Sequence, residues 1–490
     1  MGMKRAESRA GRYSLGCRSL VKYRRRISPD ADYQKKRLRS AVAHARELLQ
    51  SSAHDKLLRV LSEERLDELV HREGGPHRRR VYPPLTTLSL FVEQVLSVDS
   101  ACQDTVGRHL SQRSALGLAP SSLNTGPYCK ARQRLPLTLV EACVEAVAQV
   151  AAAALSPQAR WRGREIKLVD GTTVSMPDTP ALQAQFPQHN VQPPGLGFPL
   201  ARIVGVISLG SGCVSDWTVA ACQGQGVAEP LQLWRLLDRF APGDMVIADR
   251  AYSSYFLLAA LKQRGIDFVI REHQLRKNDP ANCVALGPDD QLIRWERPQR
   301  PSWMDEATYT AMPATLTLRE VRDGQRLLVT TLSDPGAVDA QEIGWLYNQR
   351  WHIELDFRAI KCVMQMDVLR CKTPDMVRKE IAAYLLGYNL IRAVMGEAAK
   401  PQGLAVRRLS FAAARRAAVV FQETLRHRPT LHHRAIARYL MLQFIAYWRI
   451  PERPDRVEPR AIKRRPKSQA LLTVPRAMAR HQLRAEQQAA

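Results

Sequence analysis

No stretch of 18 or more apolar residues occurs in this chain of 490, which removes the simplest membrane-spanning helix from consideration. The longest apolar candidate, "VEACVEAVAQVAAAAL" from residue 140, carries Glu141 and Glu145 and reads as an Ala-rich core helix. Cysteines number nine, an odd count scattered without a CxxC pair, which argues against both a disulfide framework and a zinc site and points to a reducing, cytoplasmic setting. The basic N-terminus lacks the apolar stretch and cleavage site of a secretory signal. Acidic charge is scarce too: 47 Asp+Glu face 73 Lys+Arg, a formal net charge of +26. That excess favours a polyanionic partner, with nucleic acid ahead of an anionic membrane surface.

The length predicts two to four domains. Residues 1–158 read as a helical DNA-binding region: "LRSAVAHARELLQSS", "DKLLRVLSEERLDELV" and "LTTLSLFVEQVLSV" have helical spacing, and "KYRRR" and "HRRR" add dense positive charge. "SSLNTGPYCKARQRLP" has the turn chemistry of a connecting loop followed by a basic helix. Composition then shifts. "REIKLVDGTTVSM" and "PLARIVGVISLGSGCVSDWTVAAC" predict three meandering strands, followed by a helix, a buried strand "DMVIADRAY" ending at Asp249, a helix closed by Gly265, and the strand "IDFVIR". This order predicts a multidomain α/β protein whose catalytic domain, 159–400, has a ribonuclease-H-like core. A β-rich insertion spans 272–337, where "QLIRWE", "ATLTLREV" and "QRLLVTTL" read as strands. A helical and basic region, 401–490, closes the chain, with an extended, poorly packed tail expected beyond 450 around "KRRPK". The glycines of "PPGLGFPLARI" precede a strand and so form no phosphate loop.

The segment "YNQRWHIELDFRAIK", 347–361, concentrates the chemistry. At about 100° per residue, Leu346, Ile353, Phe357, Ile360 and Met364 fall in one arc, the face a helix turns to a core. Tyr347, Arg350, Glu354 and Lys361 fall in a second arc beside it, where burial can perturb them and a ligand can still reach them. Arg350 and Glu354 are equally a plain i,i+4 ion pair. His352, His432 and His433 read most simply as surface residues.

Asp170 on the first strand, Asp249 at the end of the fourth and Glu354 on this helix complete the pattern. In a ribonuclease-H-like sheet the first and fourth strands are neighbours, so the two aspartates meet at one edge and a helix packed there can bring Glu354 to them. Three carboxylates at one point repel unless cations neutralise them, and oxygen ligands with open positions suit Mg2+, with Mn2+ able to substitute. Two ions per site would activate a water or 3′-hydroxyl and stabilise the leaving oxygen of a phosphodiester.

The spacing Y-x2-R-x3-E-x6-K, with "DGTT" at 170–173 and "DRAY" at 249–252, resembles the DDE transposases of bacterial insertion sequences, in the group that carries the YREK signature. The similarity covers about 160–400, and "TGPYCKARQRLP" and "KRRPKSQALLTVPR" also resemble stretches of that group. The resemblance implies Asp170, Asp249 and Glu354 as catalytic, metal-binding residues, Tyr347 and Arg350 as phosphate contacts, and Lys361 as a further DNA contact. It implies double-stranded DNA, as transposon ends and target, for a partner, and a homodimer when synapsed on it. In related transposases a tryptophan of the β-insertion stacks on a base flipped out during hairpin formation, for which Trp295 and Trp303 are the candidates here. A metal-dependent nuclease using the same site, and a non-catalytic DNA-binding regulator, are the alternatives.

Overall fold

The computed structural model describes residues 60–76, 81–115, 117, 122–276, 283–426, 431–451 and 471–489. The expectations for the basic runs at 22–26, 77–80 and 463–467, and for the helix at 38–52, lie outside the described residues.

Before the sheet come α1 (Glu63–Glu73), α2 (Pro84–Leu96), α3 (Cys102–Ala115), α4 (Gly126–Arg134) and α5 (Leu137–Ala153). Ser62 starts α1 by accepting a hydrogen bond from the Arg65 amide, with two glutamates in the first turn and His71 and Arg72 in the last, matching the helix dipole at both ends. The sheet domain follows as β1 (Ile166–Ser175), α6 (Pro180–Gln185), β2 (Leu200–Ser208), β3 (Val214–Ala221), α7 (Glu229–Trp234), β4 (Met245–Ala248), α8 (Tyr255–Gln263) and β5 (Asp267–Arg271). The insertion contributes β6 (Cys283–Gly287), β7 (Asp290–Glu296), α9 (Glu306–Ala311), β8 (Thr315–Asp323) and β9 (Arg326–Thr330). Behind it lie α10 (Ala340–Asn348), α11 (Trp351–Arg358), a π-helical turn (Ala359–Val363), α12 (Pro374–Ala399), α13 (Phe411–Arg426), α14 (Leu431–Tyr447) and α15 (Arg476–Ala489).

The nine strands among the described residues join one mixed sheet in the order β3-β2-β1-β4-β5-β9-β8-β7-β6. β1, β2 and β3 form the antiparallel meander that the sequence predicts. β4 pairs parallel to β1, and β5 parallel to β4. The insertion prolongs this sheet, because β9 pairs antiparallel with β5. The edge that β5 would otherwise leave open is thereby covered.

Along β4, Met245 and Ile247 face one core and Val246 and Ala248 the other, the period of two of a strand buried on both sides. One face packs on α7 and α8. The other packs on α10, α11 and α12, and the same core reaches back to α1, α2 and α5. Helices on either side of residue 158 thus share one apolar interior. Helix α12 is its axis, with every residue from Ile381 to Arg392 buried. No single described helix is long and apolar enough to cross a membrane.

Two expectations are corrected. The tail is not wholly extended: Arg476–Ala489 forms α15, whose polar sequence leaves nearly every side chain exposed. And 347–361 is not one α-helix. Tight i→i+3 bonds from the amides of Gln349 to Leu346 (3.0 Å), Arg350 to Tyr347 (3.0 Å) and Ile353 to Arg350 (3.1 Å) separate α10 from α11, and the Met364 amide reaches back to Ala359 (3.0 Å) across the π turn. The first departure overwinds the chain and the second underwinds it. Because the two have opposite sign, the apolar arc survives, and Leu346, Ile353, Phe357, Ile360 and Met364 are all buried.

Candidate active site

In the β1/β4 register Val169 stands opposite Ala248, and in the β4/β5 register Ala248 stands opposite Ile270. The next residues, Asp170, Asp249 and Arg271, therefore emerge side by side where the parallel pairing of β1 with β4 stops, although β1 itself continues. Asp170 does not turn the chain, since β1 runs through "DG" to Ser175. Asp249 does, as its carboxylate accepts from the Ala251 amide (2.8 Å) and opens the 3-10 turn Arg250–Tyr252.

Helix α11 packs over β1 and brings up the rest. Arg350 donates to Glu354 at 2.7 Å and reaches Asp170 at 3.4 Å, so its guanidinium bridges a sheet carboxylate and a helix carboxylate. Within the π turn, Lys361 donates to the Thr172 hydroxyl of β1 at 3.2 Å. Tyr347 is buried, with the Arg326 guanidinium 5.4 Å above its ring.

Electrostatics at this edge are strained by like charge. Burial pushes the Asp170 carboxyl up to about 6, the negative charges of Asp249 and Glu229 reinforce the shift, and the Gly171 amide and Arg350 oppose it. Burial likewise raises the Tyr347 phenol. Among the described residues, no group of three or more His, Cys, Asp or Glu side chains stands close enough to hold an ion as the side chains lie. The reason is visible in the contacts: Arg350 occupies the gap between Asp170 and Glu354, supplying positive charge where an ion would supply more. Carboxylate oxygens are the donor type that suits a hard divalent cation.

Beside these groups lies a cavity of about 420 Å³ lined by Tyr347, Arg350, Glu354, Arg271, Arg326, Asn348 and Trp351. Three guanidiniums against one carboxylate favour an anionic occupant. Four of these residues were not singled out by the sequence reading. Arg271 was legible, since it ends the strand parallel to the one that ends at Asp249. Arg326 and Asn348 were not, because their mutual hydrogen bond (2.9 Å) depends on how β9 meets α10. Trp351, 49% exposed, sits on the turn where the helix breaks.

The two insertion tryptophans separate. Trp295 is no platform for an extruded base: it is 4% exposed in the core between sheet and helix, with the Arg276 guanidinium 3.8 Å from its ring centre. Trp303 is 43% exposed, edge-on to Trp234 at 5.3 Å. His352 is not a free surface residue either. Burial, with the nearby Arg407, pushes its imidazole down to about 4. His432 and His433 are exposed as expected.

Two aspartates level on adjacent parallel strands are thus faced, across an arginine, by a helical glutamate. Residues 161–390 match the family model described as the transposase DDE domain. Over that span the chain is similar to the DDE transposases. It is 29% identical to the transposase InsG for insertion sequence element IS4 of Escherichia coli (strain K12), a match covering 71% of this chain and 77% of that protein. A shorter stretch is 37% identical to the transposase for insertion sequence element IS421 of Escherichia coli, covering 14% of this chain and 18% of that one. Among solved structures it is similar to the piggyBac transposase synaptic complex with hairpin DNA, at 10% identity and a TM-score of 0.37, covering 82% of this chain and 86% of that one.

Proposed function

We propose that the protein binds the terminal inverted repeats of its own insertion sequence, cleaves the DNA there by divalent-ion-dependent phosphoryl transfer, and joins the ends to target DNA. The reading rests on one observation above the rest: Asp170 and Asp249 lie level on adjacent parallel strands, and Arg350 links Asp170 to Glu354. The family supplies the general dependence on a divalent ion. In this reading Asp170, Asp249 and Glu354 would hold two Mg2+ ions within a ribonuclease-H-like core, which would supply Lewis-acid polarisation of the phosphodiester and charge stabilisation of the leaving oxygen.

The chain's own groups then divide the work. Arg350, released from Glu354, grips a phosphate oxygen with its planar fork. Tyr347 closes the buried wall beside it. Lys361, held by Thr172, and Arg271, without a hydrogen-bonded or ion-paired acid among the described residues, bind the backbone on either side. Trp303 is the candidate to stack on an extruded base if excision passes through a hairpin. Cleaving two ends together calls for a homodimer on DNA, with the region 1–158, rich in basic residues, reading the repeat, in the cytoplasm on the nucleoid. The test is excision in cells of a marker flanked by the element's own ends. Precise loss of the marker with reinsertion elsewhere supports the reading; breaks at the ends without any joining would make the protein a nuclease, and no breaks would end both.

A further inference from the structure

Helix α15 touches the rest of the molecule through little more than its first turn: Val474, Pro475 and Ala479 are half-buried, and the other residues from Leu471 to Gln488 are exposed. Its seat is Gly195, in the loop between α6 and β2, where a Cβ would stand 3.1 Å from Pro475 Cγ. Gln188 braces that loop, accepting from the amides of Gly195 (3.0 Å) and Gly197 (3.1 Å), while its own carbonyl accepts from Gln223, just past the end of β3, at 2.6 Å. The register places this loop. Ser175 at the end of β1 stands opposite Leu200 at the start of β2, and Ala201 opposite Ala221 at the end of β3. That end lies about 17 Å beyond Asp170 along β1. The seat of α15 is therefore past the same edge of the sheet at which Asp170 and Asp249 emerge.

Along α15, Arg476, Arg480 and Arg484 recur every fourth residue, in one stripe about 80° wide and about 12 Å long. All three are exposed, and none has a hydrogen bond or ion pair among the described residues. The one acid of the helix, Glu486, lies on another side. Like charges four residues apart oppose helix formation, so a stripe of three without counter-charge is explained by a polyanion that runs along it. A membrane surface is the wrong polyanion, because a helix lying in an interface needs a continuous apolar face, and the two large apolar residues, Met478 and Leu483, stand about 140° apart. We propose that α15 clamps the phosphate backbone of the element-end DNA beyond the carboxylate edge. The inference rests on the reading of the chain as a transposase that cleaves that end. It adds to that reading a grip near the cut that is separate from recognition of the repeat by 1–158.

The experiment is a salt titration of binding to a labelled element-end duplex by the full-length protein. Wild type is compared with the triple variant Arg476→Ala, Arg480→Ala, Arg484→Ala and with the same three arginines changed to lysine, melting temperatures being measured alongside. The alanine triple is expected to keep the melting temperature while the slope of log K against log salt falls in magnitude by about 2.7, and the lysine triple to keep the slope. Shortening the duplex to a few base pairs on the side of the cut that runs to α15 should abolish the difference, and shortening the other side should leave it. An unchanged slope in the alanine triple overturns the proposal, as does a slope that falls equally whichever side is shortened, which would make the stripe a non-specific charge. Should the triple fail to fold, Arg480→Ala alone carries the test, with a fall of about one unit expected and no fall overturning the proposal. If wild type binds and cleaves the end and the alanine triple matches its slope, only the clamp is wrong. If wild type neither prefers the end nor cuts it, the transposase reading falls and the clamp falls with it.

Discussion

Asp356, two residues from Glu354 on α11, is fully buried and should be the most expensive acidic residue to lose. Its carboxylate accepts from Arg392 (2.5 Å), from both terminal nitrogens of Arg407 (3.0 and 2.9 Å) and from the Tyr388 hydroxyl (3.0 Å). Arg407 also donates to the carbonyls of Ser208 and Leu209, so one acid ties the helix of Glu354 to α12 and to the turn after β2. Asp356→Ala leaves two guanidiniums, both nearly buried, without their anion. Breaking a buried pair costs about 3–5 kcal/mol. Arg407 keeps its two carbonyls and Arg392 keeps Tyr388, which holds the loss within that range instead of the sum of four bonds. Against a total of about 5–15 kcal/mol this is a large fraction. Urea unfolding of the full chain, followed by tryptophan fluorescence, measures it. Asp356→Asn, which keeps shape and two acceptor directions, should lose less. A shift below about 1 kcal/mol for the alanine variant would show that the arginines find water or other partners, and that Asp356 does not brace the helix.

Removing a phosphate-binding cation should reduce the magnitude of the salt dependence of DNA binding by about one unit for Arg271→Ala and again for Lys361→Ala; an unchanged slope in a gel-shift series would make either an ordinary surface charge. Trp303→Ala should impair cleavage or hairpin formation while leaving the melting temperature near wild type, whereas Trp295→Ala should destabilise by about 3–5 kcal/mol; the reverse pattern in thermal unfolding and cleavage assays would refute their assignment. Burial pushes the Cys143 and Cys213 thiols up to about 12. Their raised values favour the protonated, folded form, so the associated stability is intact below about pH 8.5 and is lost as pH climbs toward 12. At pH 8, mass mapping after iodoacetamide should find both unmodified in the native protein and exposed Cys362 alkylated; equal labelling of all three would contradict it.

Where a side chain's setting follows from the strand period and parallel neighbours, the sequence was enough. Asp170 beside Asp249, the buried Leu346–Met364 arc and the three-strand meander are of this kind. Contacts formed by distant segments were not legible. Glu229 lies against Gly171 only because α7 folds over β1, and Asp356 looks like one more charge on a polar face until α12 and the turn Val406–Arg408 close on it. Trp295 and Trp303 share composition and segment, and only the strand register of β7 against β8, Trp295 opposite Leu316, decides that the first turns inward. The break between α10 and α11 carries no proline or glycine at residues 345–353, so nothing in the sequence marked it.

If Glu354 completes an ion-dependent cleavage site with Asp170 and Asp249, its charge is needed for the chemistry and not for holding DNA. Single-turnover cleavage of a labelled element end by Glu354→Gln and wild type in Mg2+, run beside a gel shift, separates the two. The expected rate is lower by about a hundredfold or more with binding to the ends retained, because the glutamine keeps the helix and the cationic pocket while losing the charge that would hold an ion. Cleavage within about threefold of wild type, a difference of only about 0.7 kcal/mol in the barrier, would contradict it and reduce Arg350 and Glu354 to a salt-bridged helix face.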